Sequence, residues 1–290
     1  MLMDLPVLDK TIYESLNNYA IALEKKLQSD VILYLGDIDD LSKSQINDQL
    51  ELLASHGEHK NLAFNITTNG GVAESVESMV DVMRCHYDEV YFIVYDHAFS
   101  AGTILCMSGD KIYMDNGSSL GPIDPQVYNK DGKLVPAQGY LDQFENLCEK
   151  SRNNTITQIE VAMALKLDLA DLNFYQQAKE LTTTLLKEWL VKYKFKNWKV
   201  HSKTNFIVTE EEKEQRAASI AAKLGDNSFW HSHGRHIGIR ALEEILDLKI
   251  ENFSKDKDLA QAIRQYNNLA VSFAITQRYS RFIHSKFLVE

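Results

Sequence analysis

Two short stretches hold residues whose types and spacing suit acyl-transfer chemistry. The first is the turn Thr68-Asn69-Gly70-Gly71, placed between an apolar run and a helical pattern that begins at Val72. Glycine permits a positive φ and lets another group come close, and the first turn of a helix leaves N–H donors unpaired at the positive end of its dipole. Such a turn can hold an oxyanion, although a Gly-Gly pair by itself equally makes an ordinary tight turn. The second stretch is DHAFSAGT at 96–103, again an apolar run that ends in small residues. Its Ser100 would project a hydroxyl from a helix N-terminus, with the Ala101 N–H beside it to receive negative charge. The same small residues would also serve as packing and a cap. The pairing of the turns favours chemistry, because the 29-residue step from Gly71 to Ser100 fits one crossover helix and one strand. Both turns then fall at one carboxyl edge of a parallel sheet.

The elements that must position these turns are readable around them. VILYLG (31–36), LAFNITT (62–68) and VYFIVY (90–95) are short and nearly continuous in apolar residues, as strands buried on both faces should be. Val72, Val76, Met79, Val80 and Met83 repeat with helical period, so residues 62–95 read as a strand, helix, strand unit with a right-handed crossover. Residues 101–109 predict a short buried helix leading into the strand KIYM. Ile12, Leu16, Tyr19, Leu23 and Leu27 predict an amphipathic helix before the first strand. Beyond about residue 140 strand signals fade and helical periodicities take over, as in Phe174, Ala178, Leu181, Leu185 and Trp189. Thr209 and Glu212 form a capping box for a helix that Gly225 can end, and Leu259, Ile263, Tyr266 and Leu269 predict a last helix before the tail FIHSKFLVE. The chain therefore divides into an α/β part, residues 1–140, and a mainly helical part, residues 141–290.

Composition narrows the classes of function. The 290 residues are 44% hydrophobic and 25% charged with a formal net charge of -10, and the basic residues are interspersed with acidic ones. That argues against a nucleic-acid partner. No apolar stretch approaches the roughly 20 residues of a membrane span, and the start MLMDLPVLDK lacks the order of a signal peptide, so a cytoplasmic location is expected. Cys85, Cys106 and Cys148 have no CxxC spacing, which argues against a disulfide framework or a thiolate zinc site. His231, His233 and His236 lack an acidic or cysteine ligand at a familiar metal spacing. The chain has no GxxxxGK[ST] phosphate loop. No metal or cofactor is expected, and any use of ATP would need a partner.

Three stretches, TNGG at 68–71, AFSAGTILCMSGDKIYM at 98–114 and SSLGPIDPQ at 118–126, together with a fainter match in WHSHGRHI at 230–237, make the chain resemble the ClpP-class serine proteases. It is most similar to the serine dehydrogenase proteinase branch, a relative of the SppA-type signal peptide peptidases. The resemblance covers residues 30–127 well, and SSLGPIDPQ is its most specific part. It implies the ClpP/crotonase-like spiral of ββα units, Ser100 as nucleophile, and Gly70, Gly71 and Ala101 around the oxyanion hole. It also implies a protein or peptide substrate, a homo-oligomer with contacts from the helical half, and a delivery or activating partner.

The general base departs from the pattern of these relatives. ClpP has a histidine where this chain has Asp124, and a carboxylate is a poor base for a serine hydroxyl unless a histidine stands between them. Asp124 could orient such a histidine. His233, in the segment HSHGRH, is the candidate, since imidazole as a residue type has an intrinsic pKa suited to the task. Lys150 lies at a separation that suits the SppA arrangement, but a solvated lysine stays protonated at neutral pH. His97, three residues before Ser100, reads as a wall residue of the turn, and Cys106 as a buried packing residue. A crotonase-type acyl-CoA enzyme uses the same pair of amide donors without a serine nucleophile, and an inactive scaffold would keep the fold alone; both are alternatives to a peptidase.

Overall fold

The computed structural model describes residues 6–128, 132–201 and 205–287. Its first half alternates helix and strand as α1 (Val7–Leu27), β1 (Asp30–Leu35), α2 (Asp40–His56), β2 (Asn61–Thr68), α3 (Ala73–His86), β3 (Glu89–Ala98), α4 (Ala101–Met107), β4 (Lys111–Met114) and β5 (Ser119–Leu120). A small hairpin, β6 (Gln126–Tyr128) and β7 (Leu134–Pro136), leads into α5 (Ala137–Arg152), α6 (Gln158–Ala164) and α7 (Leu169–Trp189). Then come α8 (Glu210–Leu224), α9 (Asn227–Trp230), α10 (Ile239–Glu244), β8 (Glu251–Asn252), α11 (Lys257–Gln277) and β9 (Phe282–His284).

The main sheet runs β8-β4-β3-β2-β1-β9, with β5 pairing the far end of β3. All its pairings are parallel except that of β9 with β1. Ile32, Phe64, Phe92 and Ile112 lie side by side across four strands and face the helices on one side, with Val76, Met79, Ile104 and Leu186 in the same core. The alternate residues Val31, Leu33, Ala63 and Ile93 face the other side, against Leu16 and Leu23 of α1 and Ile263, Tyr266 and Phe273 of α11. Both faces of the strands are covered, which is why their sequences read as unbroken apolar runs rather than alternating ones.

The boundary expected at residue 140 falls inside α5, and the later chain returns to the sheet twice. β8 extends the sheet beyond β4, while the tail forms β9 and pairs Tyr34 with Ile283 on the opposite edge. The second half is mainly helical in its own elements, yet it closes both edges of a sheet built by the first half. Thr209 caps α8 through the Glu212 N–H, with the reciprocal bond from the Glu212 side chain, and Gly225 stands at its C-cap. The predicted capping box is thus present.

Candidate active site

β2 and β3 are parallel neighbours, so the turns that follow them stand side by side at one sheet edge. The register slips between Ile66 and Thr68, and Thr68 then pairs with Ala98 while its carbonyl accepts the Phe99 N–H at 3.0 Å. Gly102 lies so close to this strand that an added Cβ would stand 2.4 Å from the Thr68 methyl. The small residues after Ser100 therefore let α4 start against β2.

Ser100 itself has φ 49° and ψ -114°, a backbone conformation that costs an L-residue on the order of 1–3 kcal/mol and that concentrates at functional sites. The strand-to-helix turn is sharp for this reason, and it presents the side chain at the mouth of α4. Gly70 lies directly against it, since a Cβ there, at φ +110°, would come within 2.8 Å of Ser100 Cβ and 3.3 Å of Ala101 N.

The amides of the glycine turn divide into engaged and open ones. The Gly70 N–H donates to Thr68 Oγ1 at 3.0 Å, so among the residues expected around an oxyanion, Gly70 is a close-contact residue rather than a donor. Gly71 forms a parallel bridge with Ile38, flanked by Ile38 N–H to Gly70 O at 2.7 Å and Val72 N–H to Ile38 O at 2.9 Å. In a parallel bridge those two bonds belong to the flanking residues, and the N–H of the central one points the other way. The Gly71 N–H and the Ala101 N–H at the start of α4 have no hydrogen-bond acceptor among the described residues.

The segment after β5 brings a third component to the same edge. β5 pairs Ser119 with His97 and Leu120 with Ala98. Thr103, on the first turn of α4, holds the next residue: its hydroxyl accepts the Gly121 N–H at 2.9 Å and faces the Ala98 and Gly121 carbonyls at 2.8 and 2.9 Å. Three residues on, Asp124 is fully buried. Its Oδ2 accepts Gln126 Nε2 at 2.9 Å and Asn227 Nδ2 at 3.0 Å, and its Oδ1 pairs with His233 Nδ1 at 2.9 Å. Toward a carboxylate the His233 Nδ1 is the donor, and its Nε2 has no hydrogen-bond partner among the described residues.

The histidine segment is fixed over the serine turn by further contacts. Leu120 and Ile237 exchange backbone hydrogen bonds at 3.0 and 2.8 Å, His236 Nδ1 meets Ser119 Oγ at 2.8 Å, and the His236 ring stands edge-on to Phe99 at 4.9 Å. Phe99 in turn fills the space left by Gly121, where a Cβ would come within 2.9 Å of its ring.

The remaining sequence candidates sit elsewhere. Lys150, at the exposed end of α5, is ion-paired with Glu160, and this pairing occupies the ammonium at the surface. His97 contacts Asp96, Asn69 and the Phe99 ring, and so forms a wall of the turn. Cys106 is fully buried, and burial pushes its thiol pKa far up. Asn227 and Thr103 carry no local sequence signal of their role, since Asn227 lies 103 residues from Asp124 and Thr103 has the pattern of any buried helix residue. A cavity of about 390 Å³ opens beside the glycine turn, with Thr68, Asn69, His97 and Arg278 among its lining.

A family model described as ClpP-like SDH-type serine proteinase matches residues 31–205. The chain belongs to this family. The matched span contains the glycine turn, Ser100 and Asp124, and it ends before Asn227 and His233. Two uncharacterized proteins of Methanocaldococcus jannaschii are similar over shorter stretches, one 27% identical over 97 residues and the other 37% identical over 62. Those stretches cover 33% and 21% of this chain and only 32% and 22% of the relatives' own lengths. The mixed α/β architecture agrees with membership of the ClpP-like SDH-type serine proteinase family. No helix among the described residues is long and apolar enough to cross a membrane.

Proposed function

We propose that the protein hydrolyses peptide bonds through a Ser100 acyl-enzyme. Ser100 Oγ attacks the scissile carbonyl, and His233 Nε2 takes its proton and later returns it to the leaving amine. Asp124 holds the imidazole in the required tautomer and stabilises the imidazolium. The N–H groups of Gly71 and Ala101, backed by the α4 dipole, receive the charge of the tetrahedral intermediate. Water then releases the acyl group by the reverse proton transfers. The observation that carries this reading is the bond from buried Asp124 to His233 at 2.9 Å, made by a segment that also packs on the residue preceding Ser100. The cavity beside Asn69 and His97 would take a substrate side chain.

The test is covalent labelling with a fluorophosphonate. Label is expected on the wild-type protein at Ser100, with none on Ser100→Ala and strongly slowed labelling on His233→Gln. Label that persists in Ser100→Ala, or equal rates in His233→Gln and wild type, would contradict the assignment.

We further propose a homo-oligomer assembled through α6 and the start of α7. Ile159, Leu165, Leu169 and Phe174 expose apolar side chains there, Leu165 to 83%, a density of exposed hydrophobes typical of contact surfaces. Light scattering behind size exclusion should show a closed assembly that Leu165→Asp with Phe174→Asp reduces to smaller species.

A further inference from the structure

A second cavity, of about 740 Å³, is lined by none of the residues of the serine turn. Glu89 and Lys111, the first residues of β3 and β4, are in its lining. It therefore opens at the amino ends of the strands. β3 spans ten residues, so the cavity and the serine turn are separated by about 30 Å of strand. Its volume is within the range of small-molecule sites.

The chain builds this cavity with an unusual turn. α7 runs directly into a π-helical turn, Leu190–Lys194, closed by the Phe195 N–H on Leu190 O at 2.8 Å. Such turns shift the side-chain register of a helix and concentrate at functional sites. Here the turn brings Tyr193, Lys194 and Phe195 to the cavity, and Trp198 stands edge-on to Phe195 at 5.5 Å and to His201 at 5.4 Å. The result is an aromatic wall beside a lysine.

Among the described residues, most of the charges around the cavity are mutually compensated. Arg216 pairs with Asp247, Lys249 with Glu251 at 2.7 Å, Lys196 with Asp110 and Glu89, and Arg84 with Asp110 at 2.8 Å. The Lys111 ammonium rests over the Tyr91 ring at 4.5 Å. Lys194 makes neither an ion pair nor a hydrogen bond among the described residues, although it is only partly exposed and opens on the cavity. Desolvation lowers its pKa to about 8, against the pull of Glu251 and Asp110 and helped by Lys249. A partly desolvated ammonium without a partner is costly, and an anion in the cavity would relieve that cost.

We propose that this cavity is a second ligand site, which takes an organic monocarboxylate with an aromatic or branched apolar body. The carboxylate meets Lys194 Nζ, and the body lies on Phe195 and Trp198. A single charge is specified because Lys194 is the lining cation with neither a carboxylate nor a ring partner among the described residues, whereas Lys111 is held over the Tyr91 ring, and a phosphate dianion would also face Asp110, Asp247 and Glu251. The same chemistry is offered by a free aryl-alkanoic acid and by the carboxy-terminus of a peptide that ends in an aromatic residue.

Titration calorimetry on the Ser100→Ala protein, which cannot turn over a peptide by the proposed route, separates this site from the catalytic reading. The four probes are 3-phenylpropionate, 3-phenylpropionamide, N-acetyl-Ala-Ala-Phe and its carboxy-terminal amide. Each acid is expected to bind at least about tenfold more tightly than its amide, as for loss of one enclosed charge-assisted bond. Lys194→Gln should abolish that preference, and Trp198→Ala should weaken acid and amide alike. Tighter binding of the peptide acid would assign the site to peptide termini, and tighter binding of the free acid to small metabolites. Absence of binding by either acid up to about 10 mM, equal binding of acid and amide, or a preference that survives in Lys194→Gln would overturn the proposal.

Discussion

His233 Nδ1 stands 2.9 Å from Asp124 Oδ1, across 109 residues of chain, and that carboxylate is wholly buried with two amide donors on its other oxygen. Asp124→Asn keeps the volume but can offer an N–H where an acceptor is needed, which turns the imidazole to the wrong tautomer. Peptidase and labelling rates should fall by about 10³- to 10⁴-fold with the fold retained. Asn227→Ala removes one support of Asp124 and should cost less, about tenfold, measured on the same substrate.

The two glycines of the turn should respond differently to alanine. At Gly71, φ is +142° and a Cβ would meet Ile38 O at 1.9 Å; the strand edge must move, so Gly71→Ala should lose about 2–4 kcal/mol of stability in denaturant unfolding. At Gly70 the Cβ would press on Ser100 Cβ at 2.8 Å. Displacement of the serine should lower labelling about 10²-fold or more, a larger relative effect than on stability.

Thr103 joins α4 to the loop that carries Asp124. Thr103→Val keeps its shape but leaves the buried Gly121 N–H without its acceptor. Stability should fall by about 1–3 kcal/mol, and the rate should fall as well, because Gly121 is three residues from the carboxylate that orients His233. Unchanged kinetics in a destabilised Thr103→Val protein would limit this residue to a structural role.

Lys150→Met should leave labelling within about twofold of wild type, since the ammonium is paired with Glu160 at the surface. Loss of labelling in a folded Lys150→Met protein would return the proton-transfer role to this lysine.

His284 predicts a pH dependence of stability. Burial holds its pKa down at about 3, and its Nδ1 meets the Tyr266 hydroxyl at 2.7 Å. A base depressed below its unfolded value of about 6.5 contributes stability in full above that pH, and the contribution is lost as the pH falls. At pH 5 the loss is about 2 kcal/mol. Glu24 and Asp30, raised by burial, act in the opposite sense, because their folded state favours the proton. The difference in unfolding free energy between wild type and His284→Gln, measured from pH 7 to 5, isolates the imidazole and should shrink with falling pH.

Much of this molecule is legible in the order of its residues. The apolar runs at β1, β2 and β3, the helical spacing of α3 and the small residues after Ser100 are local patterns, and local sterics and burial on both faces of a parallel sheet decide them. TNGG and FSAG can be read as paired turns because a parallel strand, helix, strand unit must return to the same edge. Sequence alone also marks Asp124 as an unsuitable base and His233 and Lys150 as competing ones, through intrinsic pKa and spacing.

The proposed preference for His233 over Lys150 rests on packing that lies outside the reach of any local pattern. Lys150 is engaged by Glu160, and His233 acquires a carboxylate from across the chain. Asn227 and Thr103 gain their roles only from what lies opposite them, and β9 exists only because the edge of β1 is free to pair with the tail. Residue types and short spacings determined which chemistry this chain can attempt and where its strands and helices begin. Which side chains meet across the chain, and which amide of the glycine turn stays open, was decided by tertiary packing, because such bonds depend on distances between segments that one-dimensional order does not encode.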